Sequence, residues 1–213
     1  MRHSGQVAVA ALLLSTPAGA RAQAPATTLG LELGYSQAGF VGGTGALDES
    51  RQGTLFGAFV DRRIAGPLAA EVALFFSKKG GGISGAVEGV PVRISAQLVY
   101  LEVPLLARIA VPVGRFPLRP VVFGGGSLNF NIGCEFQAEV PGQVAQIPCR
   151  DSTGTGVEPH TVDFGAVVGG GFEYAWATSA IRLEFREHFG LRRVVPDDPL
   201  KNRAWAILFG VTI

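Results

Sequence analysis

Two neighbouring stretches decide the fold: DFGAVVGGGFEY at Asp163–Tyr174 and AIRLEFRE at Ala180–Glu187. In both, apolar or small side chains occupy every second position, and glycines or charged residues occupy most positions between them. A period of two is typical of a β-strand whose two faces meet different surroundings. The few residues between the stretches suit a tight hairpin. We therefore expect two paired antiparallel strands here.

The same alternation recurs along most of the chain and predicts eight strands. No segment beyond the N-terminal leader shows a helical period with caps. The predicted strands span residues 28–38, 51–63, 67–79, 92–110, 117–130, 161–175, 179–190 and 201–213.

The connections between these strands alternate in length. The long ones are Gly39–Ser50, Gly80–Pro91, Asn131–His160 and Leu191–Leu200, and the short ones are Ile64–Gly66, Val111–Phe116 and Trp176–Thr178. Short turns at one end and long loops at the other are typical of outer-membrane barrels. The predicted fold is all-β: an eight-stranded antiparallel up-and-down transmembrane β-barrel, with both termini at the periplasmic end.

The N-terminal 22 residues have the pattern of a secretory signal peptide. An apolar run at Val7–Leu14 is followed by Pro17 and by Ala20-Arg21-Ala22, an A-x-A cleavage pattern. We expect cleavage after Ala22, with Ala24 as the alternative. The run is too short to cross a bilayer as a helix. Residues 1–22 are thus a predicted signal peptide, and residues 23–213 are the predicted barrel domain.

Charge and composition exclude several classes of protein. The 213 residues include 18 basic and 17 acidic side chains, which gives a net charge of +1. This balance lacks the excess of positive charge that nucleic-acid binding requires. Charged residues make up 16% of the chain, against about 25% in an average domain. Disorder, a coiled coil and a nucleic-acid partner are therefore not expected.

The placement of charges separates a membrane barrel from a soluble β-sandwich or a lipocalin-like barrel, which would also alternate. The less apolar strand faces mix charges with glycines rather than carrying Lys, Ser, Thr and Asn, and aromatic residues cluster at strand ends like two interfacial girdles. Such charges would share a narrow lumen, so we expect a connected ion-pair network that plugs it. The predicted network comprises Glu71, Glu102, Arg108, Arg119, Asp163, Glu173, Arg182, Glu184 and Arg186.

The register of the hairpin between the sixth and seventh predicted strands follows from the same faces. Glu173 and Arg182 share the lumen face only if the loop between them has an even number of residues. Either loop, Ala177–Thr178 or Trp176–Ser179, places Glu173 opposite Arg182 and Gly171 opposite Glu184. We expect an ion pair between Glu173 and Arg182.

The longest loop contains both cysteines, Cys134 and Cys149. In a secreted chain two cysteines most simply form a disulfide, which would stabilise by about 3 kcal/mol for a loop of this size. No neighbouring His or Cys completes a metal site. The glycine runs Gly124–Gly126 and Gly169–Gly171 lack the helix that a dinucleotide site needs, so no metal or cofactor is expected. Glycines in a narrow barrel instead leave room for inward side chains.

The histidines and two prolines of the predicted strands also bear on function and fold. His160 and His188 are the only histidines after the leader, and the predicted register places His188 opposite Val167, far from His160. A histidine-based hydrolase is therefore not the favoured interpretation. Pro104 and Pro120 fall inside predicted strands, where each removes a ladder donor, and we expect bulges or unpaired positions there.

Three segments resemble a known family. Tyr100–Arg108 (YLEVPLLAR) is similar to the Y-L-E-I-P-L-L stretch of PorT-like outer-membrane β-barrels. Further similar pieces are Val162–Gly165 with Gly169–Gly171, and Phe189–Leu191 with Lys201-Asn202 and Leu208–Gly210. The resemblance implies an eight-stranded barrel in the outer membrane of a Gram-negative bacterium. It indicates where the protein is located and does not indicate a biochemical activity. One departure is the C-terminal Val211-Thr212-Ile213, because many such barrels end in an aromatic residue.

The sequence thus predicts a non-enzymatic barrel with a structural or surface-recognition role carried by its long loops. Two alternatives stay open: a narrow channel for small solutes, and a lipid-active or proteolytic enzyme centred on His188. The expected partners are outer-membrane lipid, the barrel assembly machinery during biogenesis, and an extracellular ligand at the long loops.

Overall fold

The computed structural model describes residues 27–42, 49–114, 116–149, 160–176, 179–193 and 201–212. The predicted signal peptide, residues 1–22, lies outside these ranges. Every regular element in the described ranges is a β-strand. Within them, no helix has the length and apolar character needed to cross a membrane.

The described part of the chain forms nine strands. They are β1 (Thr27–Val41), β2 (Glu49–Ala65), β3 (Leu68–Val87), β4 (Val90–Ala110), β5 (Leu118–Val140), β6 (Gln143–Pro148), β7 (Val162–Trp176), β8 (Ser179–Arg193) and β9 (Lys201–Thr212).

Eight of these strands close into a ring. Strands β1 to β5 pair in succession, β5 also pairs with β7, and β7, β8, β9 and β1 complete the circle, all antiparallel. Following directly opposed residues once around the ring leads from Arg119 back to Asn129 on the same strand, a stagger of ten residues. Such a stagger accompanies the strand tilt that closes a barrel. The predicted eight-stranded antiparallel up-and-down barrel is confirmed.

Two of the predicted long loops are instead continuations of the strands. Residues 80–91, expected to be a loop, lie in β3 and β4 except for the turn at Glu88 and Gly89, whose φ angles are 52° and 83°. Residues 131–148 likewise extend β5 and add β6 after a turn that contains Gly142. Residues 80–87, 90–99, 133–140 and 143–148 thus form a four-stranded sheet beyond one end of the ring, and we call it the flap.

The wall of the barrel is apolar outside and polar inside. On β8, Leu183 and Phe185 are 53% and 50% exposed, whereas Arg182 and Glu184 are 3% and 2% exposed. The same alternation of exposed apolar and buried polar side chains recurs on other strands of the ring. A soluble sandwich or lipocalin-like barrel would show the opposite arrangement, so the wall suits a hydrocarbon solvent.

Neither proline introduces a bulge. The register of β4 against β5 is continuous through Pro104 opposite Ser127, and β5 pairs with β7 through Pro120 opposite Phe172. On the other side of β4, the pairing with β3 is interrupted at Val103 and Pro104, so the unpaired position expected at Pro104 is present there. The irregularity between β4 and β5 lies elsewhere: Val99 pairs with Gly133 and Tyr100 with Asn131, which leaves Ile132 as the extra residue.

Candidate functional site in the barrel lumen

The centre of the lumen is occupied by ion pairs around Glu71, whose side chain is fully buried. Its Oε2 lies 2.8 Å from Arg108 Nη1 and 3.2 Å from Arg182 Nη1. Its Oε1 lies 3.1 Å from Arg186 Nη2. One carboxylate thus binds three guanidinium groups, which project from β4 and β8. We call this group and the residues paired with it the central network.

Three further carboxylates complete the pairing of these arginines. Glu184 lies 2.5 Å from Arg108 Nη2 and 2.8 Å from Arg186 Nη2. Glu32 lies 3.0 Å from Arg186 Nη2, and Asp61 pairs with Arg182. A charge removed from water is costly unless it is paired and hydrogen-bonded, and the central network provides such partners.

A row of charges extends the central network towards the short turns. Arg119, Glu173 and Arg182 are directly opposed on β5, β7 and β8. Arg182 Nε lies 3.5 Å from Glu173 Oε2, and Arg119 Nη1 lies 3.6 Å from Glu173 Oε1. The Arg119 side chain is 36% exposed, so this row ends at the water-accessible mouth.

Aromatic rings hold the guanidinium groups in place. The guanidinium carbon of Arg186 lies 5.1 Å from the Phe75 ring centroid and 5.2 Å from that of Phe123. Arg182 lies 4.1 Å from the Phe59 centroid. Guanidinium groups are attracted to ring faces at such distances. The rings therefore fill the space beside the ion pairs and attract the guanidinium groups.

Glycines on neighbouring strands make room for these inward side chains. A Cβ added at Gly169 would lie 2.6 Å from Phe123 Cε2, and one added at Gly165 would overlap the His188 ring. A Cβ at Gly169 would also overlap the backbone carbonyl oxygen of Phe185, so no side chain fits at either position unless the backbone or an aromatic ring moves. The expectation that glycine leaves space in a narrow lumen is confirmed at these two positions.

A second cluster lies nearer the flap and includes Glu102. Its carboxylate is 2.9 Å from Lys79 Nζ and also accepts a hydrogen bond from Ser77 Oγ. Lys79 Nζ lies 3.5 Å from His188 Nδ1, and Asn129 Nδ2 lies 3.2 Å from His188 Nε2. Lys79 is the last residue of the predicted strand 67–79. Because β3 continues beyond it into the flap, Lys79 lies within the strand and is buried in the lumen.

Asp163 occupies a third position, below the flap. Within the described chain its carboxylate accepts hydrogen bonds from Asn202 Nδ2, at 3.3 Å, and from the Phe164 amide, at 2.8 Å. Asn202 also donates to Tyr100 Oη. The single network predicted from the sequence is therefore divided. Seven of its nine residues belong to the central network, whereas Glu102 and Asp163 are held by other partners at greater height in the barrel.

The predicted disulfide is confirmed. Cys134 and Cys149 are bonded, with their Cα atoms 5.4 Å apart, and join β5 to the residue after β6. Cys134 packs with Phe40 against the buried pair Leu98 and Tyr100. The disulfide thus closes the β5–β6 hairpin at the end nearer the ring.

Sequence reasoning missed three charged members of the lumen: Glu32, Asp61 and Lys79. Glu32 lies between the exposed Leu31 and Leu33, so its place in the alternation was a usable signal. For Asp61 the signal is weaker, because its inward neighbour on the strand is the apolar Phe59.

Two cavities accompany these clusters. One of about 630 Å³ opens at the end where the short turns lie, and its lining includes Asp61, Arg119 and Glu173. A smaller one of about 50 Å³ lies between the central network and the second cluster, beside Ser36, Arg186 and His188. No group of three or more metal-ligating side chains occurs within the described ranges.

A family profile described as "Outer membrane protein beta-barrel domain" matches residues 22–195. The chain belongs to this family of outer-membrane β-barrels. Membership agrees with the apolar outer wall and with the closed eight-stranded ring. The protein is therefore an outer-membrane barrel of the Gram-negative type.

Three solved outer-membrane barrels are similar in fold. OprG from Pseudomonas aeruginosa is 12% identical, with a TM-score of 0.49 over 89% of this chain and 96% of that one. Neisserial surface protein A is 13% identical, with a TM-score of 0.47 over 88% and 98%. Ail of Yersinia pestis is 12% identical, with a TM-score of 0.45 over 88% and 99%. No curated protein matches the chain in sequence.

Proposed function

We propose that this outer-membrane barrel is a non-enzymatic, plugged protein whose structural or surface-recognition role is carried by the flap. The observation that supports this proposal most directly is the central network. Three arginines from β4 and β8 reach carboxylates on β1, β2, β3 and β8. A lumen crossed by such pairs has no wide aqueous bore, unlike the larger barrels that act as porins.

The flap supports the recognition part of the proposal. Its sheet continues strands β3, β4 and β5 beyond most of the ring, and cross-strand pairing places Arg93 opposite Glu139 and Ser95 opposite Gln137 on one face. Arg51 of the barrel wall donates to Ser95 Oγ at 3.1 Å and to Gln97 Oε1 at 2.8 Å. A braced, disulfide-linked sheet loses little conformational freedom on binding, which favours a recognition surface.

Two finer assignments belong to the same proposal. The termini face the periplasm, so the flap faces the outside of the cell, because the long connections of outer-membrane barrels are extracellular. The similarity of Tyr100–Arg108 to PorT-like barrels supports that narrower family. Outer-membrane lipid and the assembly machinery are then the general partners, and an extracellular ligand at the flap is the specific one.

The alternative of a channel has one observation in its favour. The two cavities lie at successive heights of the lumen, above and below the central network. Insertion of the purified protein into planar bilayers decides between the two functions. A plugged barrel should give no stepwise conductance. Discrete conductance steps whose size changes in the Arg186→Gln variant would establish the channel and contradict the plugged barrel.

The alternative of a barrel enzyme centres on His188. This ring is 7% exposed and is held between Lys79 and Asn129, away from the lipid surface. We expect purified protein to leave both lipopolysaccharide acyl chains and peptide substrates intact. The non-enzymatic proposal would be contradicted if the wild-type protein hydrolyses either substrate, the His188→Ala variant does not, and the control variant Asn131→Ala still does.

The orientation is tested with an epitope tag. A tag inserted at Glu88–Gly89, the β3–β4 turn, should bind antibody on intact cells. The matched control carries the tag at Gly66, in the β2–β3 turn, and should react only after the outer membrane is permeabilised. The reverse pattern would overturn the assigned orientation.

A further inference from the structure

The cavity at the short-turn end has the size of a small-molecule site. Its volume is about 630 Å³, within the usual range of about 300–1,000 Å³ for ligand pockets. Small side chains of the wall leave this space, among them Ala69, Ala110, Ala175 and Ala180. We call the cavity the vestibule.

Positive charge predominates in the lining of the vestibule. Four arginines and two carboxylates line it, which gives a net charge of +2: Arg63, Arg108, Arg119, Arg182, Asp61 and Glu173. Two of the arginines are buried and already bound within the barrel. Arg108 donates to Glu71 and Glu184. Arg182 donates to Glu71 and to the buried Asp61. An entering ligand therefore meets the other two arginines.

Arg63 and Arg119 have donors to offer to such a ligand. Arg63 is exposed and binds no other residue of the described chain. The Arg119 side chain is 36% exposed, and its Nη1 is 3.6 Å from Glu173 Oε1, beyond hydrogen-bond distance. Glu173 Oε2 also lies 3.5 Å from Arg182 Nε, so one carboxylate faces two guanidinium groups. The donors of Arg63 and Arg119 are thus available to a further acceptor.

The two arginines project into the vestibule from different sides. Arg63 lies on β2 and Arg119 on β5, with β3 and β4 between them in the ring. The adjacent Arg62 is exposed but does not line the cavity, because successive residues of a strand face opposite sides. A group at the centre of the mouth can therefore be held by two guanidinium groups at once.

We propose that the vestibule binds a small phosphate anion, either inorganic phosphate or the phosphate group of a small ester. A phosphate monoester carries about −1.5 to −2 charges at pH 7 and three strong acceptor oxygens. It therefore suits two planar guanidinium groups better than a carboxylate with its single charge does. In this arrangement Arg63 and Arg119 bind the phosphate. The site lies at the opposite end from the flap and does not depend on the role proposed for the flap.

Titration of the ¹⁵N-labelled protein in detergent micelles tests the proposal, with glycerol 3-phosphate as the probe. Sodium chloride holds the ionic strength constant, so that screening of exposed charges does not itself move the signals. We expect saturable shifts of the amide signals of Arg63, Arg119 and Ala175. Glycerol, which lacks the phosphate, should give none. The absence of saturable shifts with glycerol 3-phosphate, or equal shifts with glycerol, would overturn the phosphate site.

Inorganic phosphate, titrated in the same way, distinguishes the two sources of the anion. If the ligand is an ester, its organic part contacts the walls of the vestibule, and glycerol 3-phosphate should bind more tightly than inorganic phosphate. If the ligand is free phosphate, the two affinities should be equal. Either result supports a site for the phosphate group.

Two adjacent arginines provide a matched pair of variants. Arg63→Gln and Arg62→Gln each remove one positive charge from the same exposed end of β2, but only Arg63 lines the vestibule. We expect Arg63→Gln to weaken binding about tenfold and Arg62→Gln to change it less than about twofold. Equal losses of affinity would show that the general charge of the mouth attracts the anion, and would overturn the site.

Glu173 and Arg119 provide a second pair of variants with opposite expected effects. Arg119→Gln removes a ligand of the phosphate and should weaken binding about tenfold. Glu173→Gln removes the carboxylate that repels the anion and competes for Arg119, so it should strengthen binding about threefold. Weaker binding in a folded Glu173→Gln barrel, or unchanged binding in Arg119→Gln, would refute the proposed arrangement, whatever the conductance experiment gives.

Discussion

Glu173 and Arg182 face each other directly across the β7–β8 hairpin, on the lumen side, with Arg182 Nε 3.5 Å from Glu173 Oε2. The same register places Gly171 opposite Glu184. Both pairings are those expected from the even-numbered loop, so the register predicted from the sequence is confirmed. The pair joins the mouth of the barrel to the buried central network.

The Glu173–Arg182 pair should be coupled more strongly than the Glu173–Arg119 pair. Arg182 is buried and held against Phe59, whereas Arg119 is partly in water. Double-mutant cycles with glutamine substitutions, followed by urea unfolding in lipid vesicles, should give about 0.5–3 kcal/mol for the buried pair. The pair with Arg119 should give at most about 1 kcal/mol. Equal coupling energies would contradict the described burial.

Glu71→Gln should be among the most destabilising changes in the barrel. It removes the carboxylate shared by Arg108, Arg182 and Arg186, so each of these buried guanidinium groups loses one acceptor and keeps one or two other carboxylates. We expect a loss of about 1–3 kcal/mol in the free energy of unfolding, because buried donors lose their acceptors. Glu187→Gln is the control, because Glu187 pairs with the half-exposed Arg203; its loss should stay below about 1 kcal/mol. Similar losses in both variants would show that the central network is not essential to stability.

Gly169→Ala should destabilise the barrel, whereas Gly85→Ala should not. A Cβ at position 169 overlaps the backbone carbonyl oxygen of Phe185 and lies 2.6 Å from the Phe123 ring, but one at position 85 in the flap has no heavy atom within 4 Å. We expect about 1–3 kcal/mol for the first change and no more than about 0.5 kcal/mol for the second. Urea midpoints measured side by side check the difference. An unchanged midpoint for Gly169→Ala would contradict the close packing of Gly169 against the Phe185 carbonyl and the Phe123 ring.

Reduction of the disulfide should loosen the flap and leave the ring intact. Cys134 and Cys149 close a short segment that includes β6, outside the eight-stranded ring. Both thiols should resist alkylation until a reductant is added. Hydrogen exchange should then speed up in β6 and in the distal part of β5, while β7, β8 and β9 keep their protection. Alkylation of the native oxidised protein, or loss of protection throughout the ring, would contradict this prediction.

The sequence alone determined the strands of the ring, the face that each residue occupies and the register of one hairpin. These features depend on neighbouring residues, because a pleated strand sends successive side chains to opposite sides. Leu183 faces outward and Arg182 inward for that reason. The sequence did not determine how far each pair of strands extends beyond the ring. The predicted loop at Gly80–Pro91 begins with three glycines, but in the structure these glycines pair within the ladder between β3 and β4.

Only the tertiary structure decided which charges meet. Arg186 pairs with Glu32 across a sequence separation of 154 residues, and Arg182 pairs with Asp61 across 121. Such contacts depend on the stagger of ten residues with which the ring closes, and no single strand or hairpin specifies that stagger. For the same reason Glu102 and Asp163 share the inward face with Glu71 and yet bind other partners. The alternation assigns a residue to the lumen, and closure of the ring assigns its height there.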